Sequence, residues 1–390
     1  MENAKAGITK AIVVTGAGGF IGRNLCVALR RSGFEVLEFN RSHTADRLRE
    51  LATRAELVFH LAGVNRPKDE KGFVQDNANF TRELCECLAA ADRTTPVVMT
   101  SSIQAELDNP YGRSKKAAED AVLDYHKASG APVYIYRFPN VFGKWSQADY
   151  NTVVATYCHN INRGLPVTIS NRAQPLRFVY VDDIVRAFLE IAGRPEHDPA
   201  TSRYELQPVY SITLGELHDL ILSFHDGREK SLIPDLCNRL TKYLYSTYVS
   251  FCDTGKLDYP VALKTDDRGW LFELVKSPHA GQIFVSQTRP GITRGNHYHD
   301  TKIEKFCVVQ GEGIIRFRHI LNGEIIEYPV NDRAIRIVDI PPGYSHSIEN
   351  VGAGDMITLF WANEIFDPRR PDTYSAKVRD GDSGNRKAGR

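Results

Sequence analysis

A glycine turn between an apolar strand and an amphipathic helix constrains the fold of this chain more than any other feature. The turn contains Gly16, Gly19 and Gly22, with an apolar run at residues 10–14 before it and helical periodicity at residues 20–32 after it. In such a turn the first glycine allows a tight bend, the second lets backbone amides approach a pyrophosphate, and the third packs the helix against the sheet. The N-terminus of the helix also favours an anion. We therefore predict that this segment binds a dinucleotide.

The alternation of strand and helix continues through the first half of the chain. The predicted strands are residues 34–40, 56–61, 96–100 and 133–137, and the predicted helices are residues 73–91 and 111–129. Strands that alternate with helices predict a parallel, doubly wound sheet. We assign this α/β Rossmann domain to residues 1–245.

The pattern changes after about residue 250, where short strand-like segments are separated by Gly, Pro, Asn and Asp turns. The segments are residues 281–288, 306–309, 313–319, 324–330, 334–340 and 355–361. Short strands at this spacing predict a small all-β barrel, which we assign to residues 246–375. Residues 234–250 look helical and join the two domains. We expect residues 376–390 to be a disordered tail, because they end in Gly, Ser and charged residues without an apolar anchor.

Tyr111 and Lys115 stand four residues apart on a predicted helix, and Ser102 precedes them at the end of a predicted strand. Residues four apart share a helix face, so the Lys115 ammonium is expected to lie beside the Tyr111 phenol and lower its pKa. The Ser102 hydroxyl can donate to a substrate carbonyl while Tyr111 delivers a proton, with Ser101 as the alternative donor. Beside a dinucleotide turn, this set predicts a nicotinamide-dependent carbonyl reductase.

The end of the second predicted strand bears on the choice of nicotinamide cofactor. An NAD-binding domain carries an acidic residue there for the ribose hydroxyls, whereas this chain has Asn40 followed by Arg41. An arginine at this position can meet a 2′-phosphate, which favours NADPH. A single arginine after a strand is also typical of a solvated loop, and that alternative stays open.

The second domain carries a pattern similar to the two cupin motifs. Gly291, His297, His299, Glu304 and Gly311 have the spacing of the first motif, and residues 341–343 with His346 and Asn350 supply most of the second. Two histidines two apart on a strand point to one face and can reach the same ion. With Glu304 and His346 they form a set of three imidazoles and one carboxylate, which suits zinc, iron, manganese, nickel or cobalt. The alternative is a metal-free barrel lined by polar residues.

Charge and cysteine content exclude several classes of function. The 390 residues carry 49 Lys plus Arg against 48 Asp plus Glu, so no bulk field favours nucleic acid or anionic lipid. The apolar runs are too short to cross a bilayer, and the N-terminus lacks the pattern of a signal peptide. Seven cysteines without C-x-x-C spacing are expected to be reduced thiols. We expect a cytoplasmic protein with small-molecule partners, without a membrane or nucleic acid.

The first 245 residues or so resemble the extended short-chain dehydrogenase/reductase family of nucleotide-sugar enzymes. The chain up to about Tyr374 resembles the CapF/WbjC-type bifunctional enzymes of capsular polysaccharide and O-antigen synthesis, through residues 64–67, 108–112, 142–145, 295–297 and 371–374. The resemblance implies a UDP-2-acetamido-2,6-dideoxy-4-hexulose substrate, epimerised at carbon 3 by the cupin domain and reduced at carbon 4 with NADPH. The implied product is UDP-2-acetamido-2,6-dideoxy-β-L-talose, a precursor of N-acetyl-L-fucosamine. Zinc in the cupin and a homodimer are also implied.

Three questions stay open at the level of sequence. The epimerase base is unassigned, with Tyr298, Lys302 and His319 as polar candidates. A non-catalytic protein that senses NADP(H) and binds a ligand in its cupin is the alternative of a different class, although such a protein is expected to lose Tyr111 or Lys115. A cupin oxygenase with iron is a second alternative, which oxygen consumption would distinguish.

Overall fold

The computed structural model describes residues 10–67, 69–150, 152–194 and 202–379. The chain divides into two compact units, residues 1–221 with 243–253 and residues 222–242 with 254–390. The boundary predicted at residue 245 falls inside a helix, Arg239–Ser250, because the second unit takes residues 222–242 from between two segments of the first. Among the described residues, no helix is long and apolar enough to cross a membrane.

The first unit contains a parallel six-stranded sheet with helices on both faces. Its strands are β1 (Ala11–Thr15), β2 (Glu35–Phe39), β3 (Leu57–His60), β4 (Val97–Ser102), β5 (Val133–Phe138) and β8 (Arg203–Tyr204). They lie in the order β2-β1-β3-β4-β5-β8, and every neighbouring pair is parallel. The reversal of strand order at β1 and β3 is that of a doubly wound fold, in which ligands bind at the carboxyl ends of the strands.

Helices cover this sheet, and a smaller sheet accompanies it. The helices up to residue 250 are α1 (Phe20–Arg31), α2 (Ala45–Arg54), α3 (Lys71–Phe73), α4 (Phe80–Ala90), α5 (Pro110–Ser129), α6 (Val153–Arg163), α7 (Val181–Gly193), α8 (Leu214–Arg228) and α9 (Arg239–Ser250), of which α8 and α9 contain residues of both units. The smaller sheet consists of β6 (Asn140–Phe142), β7 (Pro175–Tyr180) and β9 (Tyr210–Thr213). The helix predicted over residues 73–91 is interrupted, since a π-helical turn, Val74–Asn79, separates α3 from α4.

Alternate residues of the central strands pack into two different cores. On β1, Val13 joins one buried cluster with Leu51 of α2, whereas Ile12 joins another with Leu25 of α1 and Phe188 of α7. Both faces of the sheet are therefore apolar and covered by helices, as a parallel sheet requires. The predicted α/β fold class is confirmed for this unit.

The second unit is built from antiparallel strands. They are β10 (Lys264–Asp266), β11 (Gly269–Ser277), β12 (Gly281–Thr288), β13 (Thr293–Tyr298), β14 (Glu304–Gln310), β15 (Glu312–His319), β16 (Ile325–Asn331), β17 (Ile337–Ile340), β18 (Tyr344–Asn350), β19 (Met356–Ala362) and β20 (Tyr374–Ser375). One sheet has the order β10-β11-β12-β19-β14-β17 and the other β16-β15-β18-β13-β20. Phe306, Ile315, Phe317, Ile348 and Phe360 are among the buried residues of its apolar core. This all-β unit confirms the second half of the predicted fold class.

Two predictions about segments differ from the structure. Only Arg239–Ser250 of the region predicted helical at 234–250 forms a helix. Residues 376–379 were predicted to belong to a disordered tail, but Val378 is 1% exposed and its backbone amide donates to Asn296 Oδ1 at 3.0 Å. That prediction was wrong for these four residues, because Val378 supplies the apolar anchor and the β13 backbone bulge at Asn296 supplies the partner. The rest of the tail, 380–390, lies outside the described residues.

Candidate active site and candidate metal centre

The glycine turn connects β1 to α1 in the conformation that its sequence predicts. Gly16 has a φ of +68°, which a side chain at this position would strain, and its amide donates to Phe39 O at 2.9 Å. A Cβ on Gly22 would lie 2.2 Å from Gly16 O, so only glycine allows the helix to pack this closely against the turn. Gly19 is the N-cap of α1, which leaves the first amides of the helix available to an anion.

Asn40 is a residue of this turn that the sequence analysis did not single out for a role. It follows β2, and its Oδ1 accepts a hydrogen bond from the Gly18 amide at 2.7 Å. The Asn40 amide in turn donates to His43 Nδ1 at 3.1 Å. An asparagine at the end of the second strand therefore fixes the glycine turn from the side. No spacing rule distinguishes such a residue from an ordinary loop asparagine.

Arg41 stands beside this turn and is exposed. Its guanidinium forms an ion pair with Asp76 of the π-helical turn at 3.0 Å, with the two side chains 77% and 42% exposed. An exposed ion pair contributes little to stability and opens readily. Arg41 is therefore accessible to an anion near the end of β2, and Asp76 is a competing partner for it.

The predicted catalytic side chains meet where β4 ends and α5 begins. The N-cap residue of α5, Asn109, accepts from the Gly112 amide at 2.8 Å, and Pro110 occupies the first turn. Tyr111 thus lies in the first turn of the helix, and its hydroxyl lies near the side chain of Ser102. Burial raises the pKa of Tyr111, and the nearby Ser102 side chain acts in the opposite direction. At neutral pH the phenol is protonated and can act as an acid.

Ser101, the alternative donor, faces a different partner. Its hydroxyl donates to Glu119 Oε1 at 2.5 Å, and the same carboxylate receives Arg137 Nε at 2.8 Å and Nη2 at 2.6 Å. Glu119 is fully buried and its charge is compensated by Arg137. Ser101 therefore belongs to a buried ionic network, whereas Ser102 is the serine that lies near Tyr111 and acts on its pKa.

Lys115 is buried, and it is directed at a backbone carbonyl. Its Nζ donates to Thr100 O at 3.0 Å, near the end of β4. Burial lowers the pKa of Lys115 to about 8, against a smaller opposing effect of Glu119. The expectation that Lys115 lowers the pKa of Tyr111 was wrong for this structure, because burial dominates the pKa of the phenol and Ser102 is the group that opposes it.

A cleft of about 450 Å³ opens in the first unit, and one of its lining residues, Tyr150, is near Tyr111. Its lining includes Arg66, Tyr150, Thr152, Thr156, Tyr157 and Ser170. Tyr150 lies close enough to Tyr111 to influence its pKa electrostatically. Asp149 also lines the cleft, and together with an arginine, hydroxyl groups and aromatic rings it suits a polar ligand with a ring to stack. Sequence reasoning singled out none of these side chains except Arg66, in the 64–67 segment.

The four predicted metal ligands converge in the second unit from three strands. Their ligand atoms all lie within 4.8 Å of one another. His297 is on β13, Glu304 begins β14, and His346 of β18 lies directly opposite His297 in the ladder. His299 follows β13, and its Nε2 lies 3.3 Å from Glu304 Oε2. A backbone bulge at Asn296, with a φ of +60°, separates Gly295 from His297 and sets the direction of the two histidines.

The electrostatics of this cluster fit a cation. Burial lowers the pKa of His297 to about 3, and the neighbouring His346 acts in the same direction. Burial acts to raise the pKa of Glu304, but the nearby imidazoles outweigh it and hold the pKa well below its usual range. His346 Nε2 is buried without a well-oriented hydrogen bond, although Glu304 Oε2 lies 3.3 Å away. Three imidazoles and one ionised carboxylate form a donor set suited to a borderline divalent metal. One of the imidazoles, that of His346, has a buried nitrogen without a well-oriented partner.

The three candidates for the epimerase base lie in different surroundings. Lys302 is 4% exposed and donates to Pro371 O at 2.6 Å. His319 Nδ1 accepts from the Leu321 and Asn322 amides, and its ring packs on Tyr344. Tyr298 packs on Tyr374. The geometry joins none of them to the metal-ligand cluster by a side-chain hydrogen bond, so the base stays unassigned.

Comparison with known proteins gives matches over both units. Residues 12–206 match the NAD dependent epimerase/dehydratase family, and residues 264–374 match the polysaccharide biosynthesis C-terminal domain. The chain is 43% identical over 371 residues to the UDP-2-acetamido-2,6-beta-L-arabino-hexul-4-ose reductase of Pseudomonas aeruginosa, covering 95% of this chain and 99% of that protein.

Solved structures give the same result. The capsular polysaccharide assembling protein CapF from Staphylococcus aureus has a TM-score of 0.86 at 42% identity, covering 94% of this chain and 100% of that chain. A structure of CapF with the inhibitor 3-isopropenyl-tropolone has a TM-score of 0.82 at 38% identity, covering 94% and 100%. The resemblance inferred from the sequence motifs is confirmed: the chain belongs to the CapF-type family, in which an epimerase/dehydratase-type Rossmann domain is followed by a polysaccharide biosynthesis C-terminal domain.

Proposed function

We propose that this protein is a nucleotide-sugar enzyme that reduces a UDP-2-acetamido-2,6-dideoxy-4-hexulose at carbon 4 with NADPH, after epimerising it at carbon 3. The observation that carries the proposal is the position of Ser102, Tyr111 and Lys115 at the carboxyl end of β4, on the same sheet as the dinucleotide turn. The P. aeruginosa relative is named as a reductase of a UDP-hexul-4-ose, which supports this class of substrate. The presence of all three side chains argues against a protein that only senses NADP(H).

Reduction requires a proton donor next to the ketone. A bound nicotinamide supplies hydride to carbon 4, and charge then develops on the ketone oxygen. In the proposed pose, Ser102 and Tyr111 donate to that oxygen, and Tyr111 transfers its proton to it. Lys115, whose buried ammonium lies one turn along the helix and donates to Thr100 O, is assigned to holding the bound cofactor beside this acid. The cleft lined by Arg66 and Tyr150 is the proposed place of the UDP-sugar.

Epimerisation at carbon 3 is assigned to the second unit. The ketone at carbon 4 acidifies the proton on carbon 3, so the reaction needs a base and stabilisation of an enolate oxygen. We propose that His297, His299, Glu304 and His346 hold a zinc ion, which supplies positive charge at this site when bound. Four protein ligands close a tetrahedral zinc, so we assign it a mainly structural or organising role.

The proposed product is UDP-2-acetamido-2,6-dideoxy-β-L-talose, made by a homodimer. The test is incubation with the 4-hexulose in D₂O, with and without NADPH, followed by NMR. Without NADPH, deuterium should enter carbon 3 of the ketone; with NADPH, the reduced product should carry deuterium at carbon 3 and a new proton at carbon 4. Oxygen consumption during the same incubation would instead support an oxygenase. Light scattering tests the dimer.

A further inference from the structure

The segment that follows the barrel core returns to the metal-ligand cluster. Residues 371–374 contributed to the family resemblance but have no assigned role. In the structure, β20 pairs with β13, with Tyr374 opposite Tyr298 and Ser375 opposite His297. The residues just before β20 therefore lie beside the turn that carries His299. About seventy residues of chain separate these two segments.

Asp372 holds the turn that follows His299. One carboxylate oxygen accepts from the Asp300 amide at 3.0 Å, and the other accepts from the Thr301 amide at 3.0 Å, the Thr301 hydroxyl at 3.0 Å and the Lys302 amide at 2.8 Å. The carboxylate therefore accepts four hydrogen bonds, three of them from consecutive backbone amides. The shape of the turn that carries His299 thus depends on one side chain from a distant part of the sequence.

The backbone of Asp372 contacts the metal-ligand candidate itself. The Asp372 carbonyl oxygen is hydrogen-bonded to His299 Nδ1. A carbonyl can only accept, so Nδ1 carries a proton; in the neutral ring Nε2 then keeps its lone pair, on the side where Glu304 lies 3.3 Å away. Outer partners of this kind fix the orientation and the tautomer of a ligating histidine.

Asp372 itself has an unusual backbone conformation. Its φ is +39°, a region that Asp and Asn tolerate better than other residues with a side chain. Lys302, with a side chain only 5% exposed, donates to Pro371 O at 2.6 Å and approaches Thr373 Oγ1 at 3.5 Å, so the residues on both sides of Asp372 are held as well. The surroundings therefore enforce the conformation that aims the carbonyl at His299.

We infer that Asp372 is a positioning residue of the metal-ligand cluster. Its carboxylate fixes the 300–302 turn, and its carbonyl selects the His299 tautomer that is protonated at Nδ1, with Nε2 facing Glu304. The inference rests on the proposed metal-binding role of the cluster. It assigns to Asp372 an effect on zinc affinity without direct contact with the metal.

The test compares full-length variants at position 372. Asp372→Ala removes the carboxylate and disfavours the positive φ, Asp372→Gly removes the carboxylate and allows that φ, and Asp372→Asn keeps one oxygen acceptor and tolerates it. Asp367→Ala is the matched control, because Asp367 lies on the same segment and pairs with Arg369 and Arg370. Zinc affinity is measured by competition with a chelator, and the His299 tautomer is read from ¹⁵N NMR of the metal-free proteins.

We expect zinc to bind Asp372→Ala about 10–100-fold more weakly than wild type, with the Gly and Asn variants between them and the control unchanged. The wild-type His299 should show a protonated Nδ1, and this preference should weaken in Asp372→Ala. Unchanged zinc affinity in Asp372→Ala would overturn the inference, and so would weaker zinc binding with an unchanged tautomer. If wild type binds no zinc, the metal proposal fails, and the tautomer comparison in metal-free protein still decides the role of Asp372. If Asp372→Ala does not fold, Asp372→Asn gives the same comparison.

Discussion

The two candidate sites differ in how far the protein itself satisfies their polar groups. In the first unit, Lys115 already donates to Thr100 O, and Ser102, which lies near Tyr111, accepts from the Gln104 amide. In the second unit, His346 Nε2 has no well-oriented partner, and burial lowers the pKa of His297 to about 3. A site whose donors are already arranged can receive a substrate and cofactor. A site in which imidazole nitrogens converge on an ionised carboxylate is suited to a cation.

This difference predicts different responses to mutation. Loss of a side chain in the first unit should remove chemistry and leave the fold intact. Loss of a ligand in the second unit should weaken a bound cation and the stability that depends on it. The following experiments test this contrast, from the largest expected effect to the smallest.

Tyr111→Phe should lower the rate of ketone reduction by about 10²–10⁴-fold, because it removes the proton donor and retains the ring. NADPH oxidation with the 4-hexulose measures the rate. The melting temperature should stay close to that of wild type, and Tyr125→Phe is a control, since its hydroxyl donates to Thr95 O in the core of the same unit. Reduction at the wild-type rate would remove Tyr111 from the proposed mechanism.

His297→Ala should abolish tight zinc binding and lower the melting temperature of the second unit, on the order of 10 °C for a structural ion. Reduction by the first unit should persist below that transition. Chelator competition and calorimetry measure the two effects. A folded, zinc-free variant with unchanged stability that no longer exchanges the carbon 3 proton would show that the ion is catalytic, contrary to the role we assign to it.

The pH dependence of reduction should report the buried ammonium of Lys115. Because burial lowers the pKa of Lys115 to about 8, the charged form predominates below pH 8 and is lost as the pH rises above it. The value of kcat/KM should therefore fall above about pH 8, by up to tenfold per pH unit. In Lys115→Arg the guanidinium stays charged, so the fall should disappear from this range even if the rate is lower. A fall at pH 8 that survives in Lys115→Arg would belong to another group.

Arg41→Asp should shift the cofactor preference from NADPH toward NADH by roughly 10–100-fold, because it removes one charge-assisted contact to the 2′-phosphate. The ratio of kcat/KM for the two cofactors measures it. Arg49→Asp is the control, because Arg49 is an exposed arginine paired with Asp46 on the following helix. An unaltered ratio in Arg41→Asp would leave Arg41 as a solvated loop residue paired with Asp76.

Sequence reasoning reached the local part of both sites. Residues that are close in sequence have a geometry set by the local structure, the turn for Gly16 and Gly22 and the helix period for Tyr111 and Lys115. The cluster of His297, Glu304 and His346 was inferred from motif spacing, and the structure brings its ligand atoms together from three strands.

The parts that the sequence did not reveal depend on contacts between distant segments. Asn40 fixes Gly18 across the β2 end, and Asp372 holds a turn about seventy residues earlier in the chain. The pKa of Tyr111 was misjudged because helix spacing gives the proximity of Lys115 but not the burial of the phenol. Burial and tertiary hydrogen bonds are properties of the folded chain, and the periodicity of the sequence does not predict them.

The central claim is that the two activities belong to separate sets of residues. The most direct test follows deuterium at carbon 3 of the 4-hexulose by NMR in D₂O, with Tyr111→Phe in place of wild type. We predict that deuterium enters at the wild-type rate while the formation of reduced sugar on addition of NADPH slows by about 10²–10⁴-fold. If Tyr111→Phe is folded and still binds zinc but loses both deuterium exchange and reduction, that result would contradict the claim.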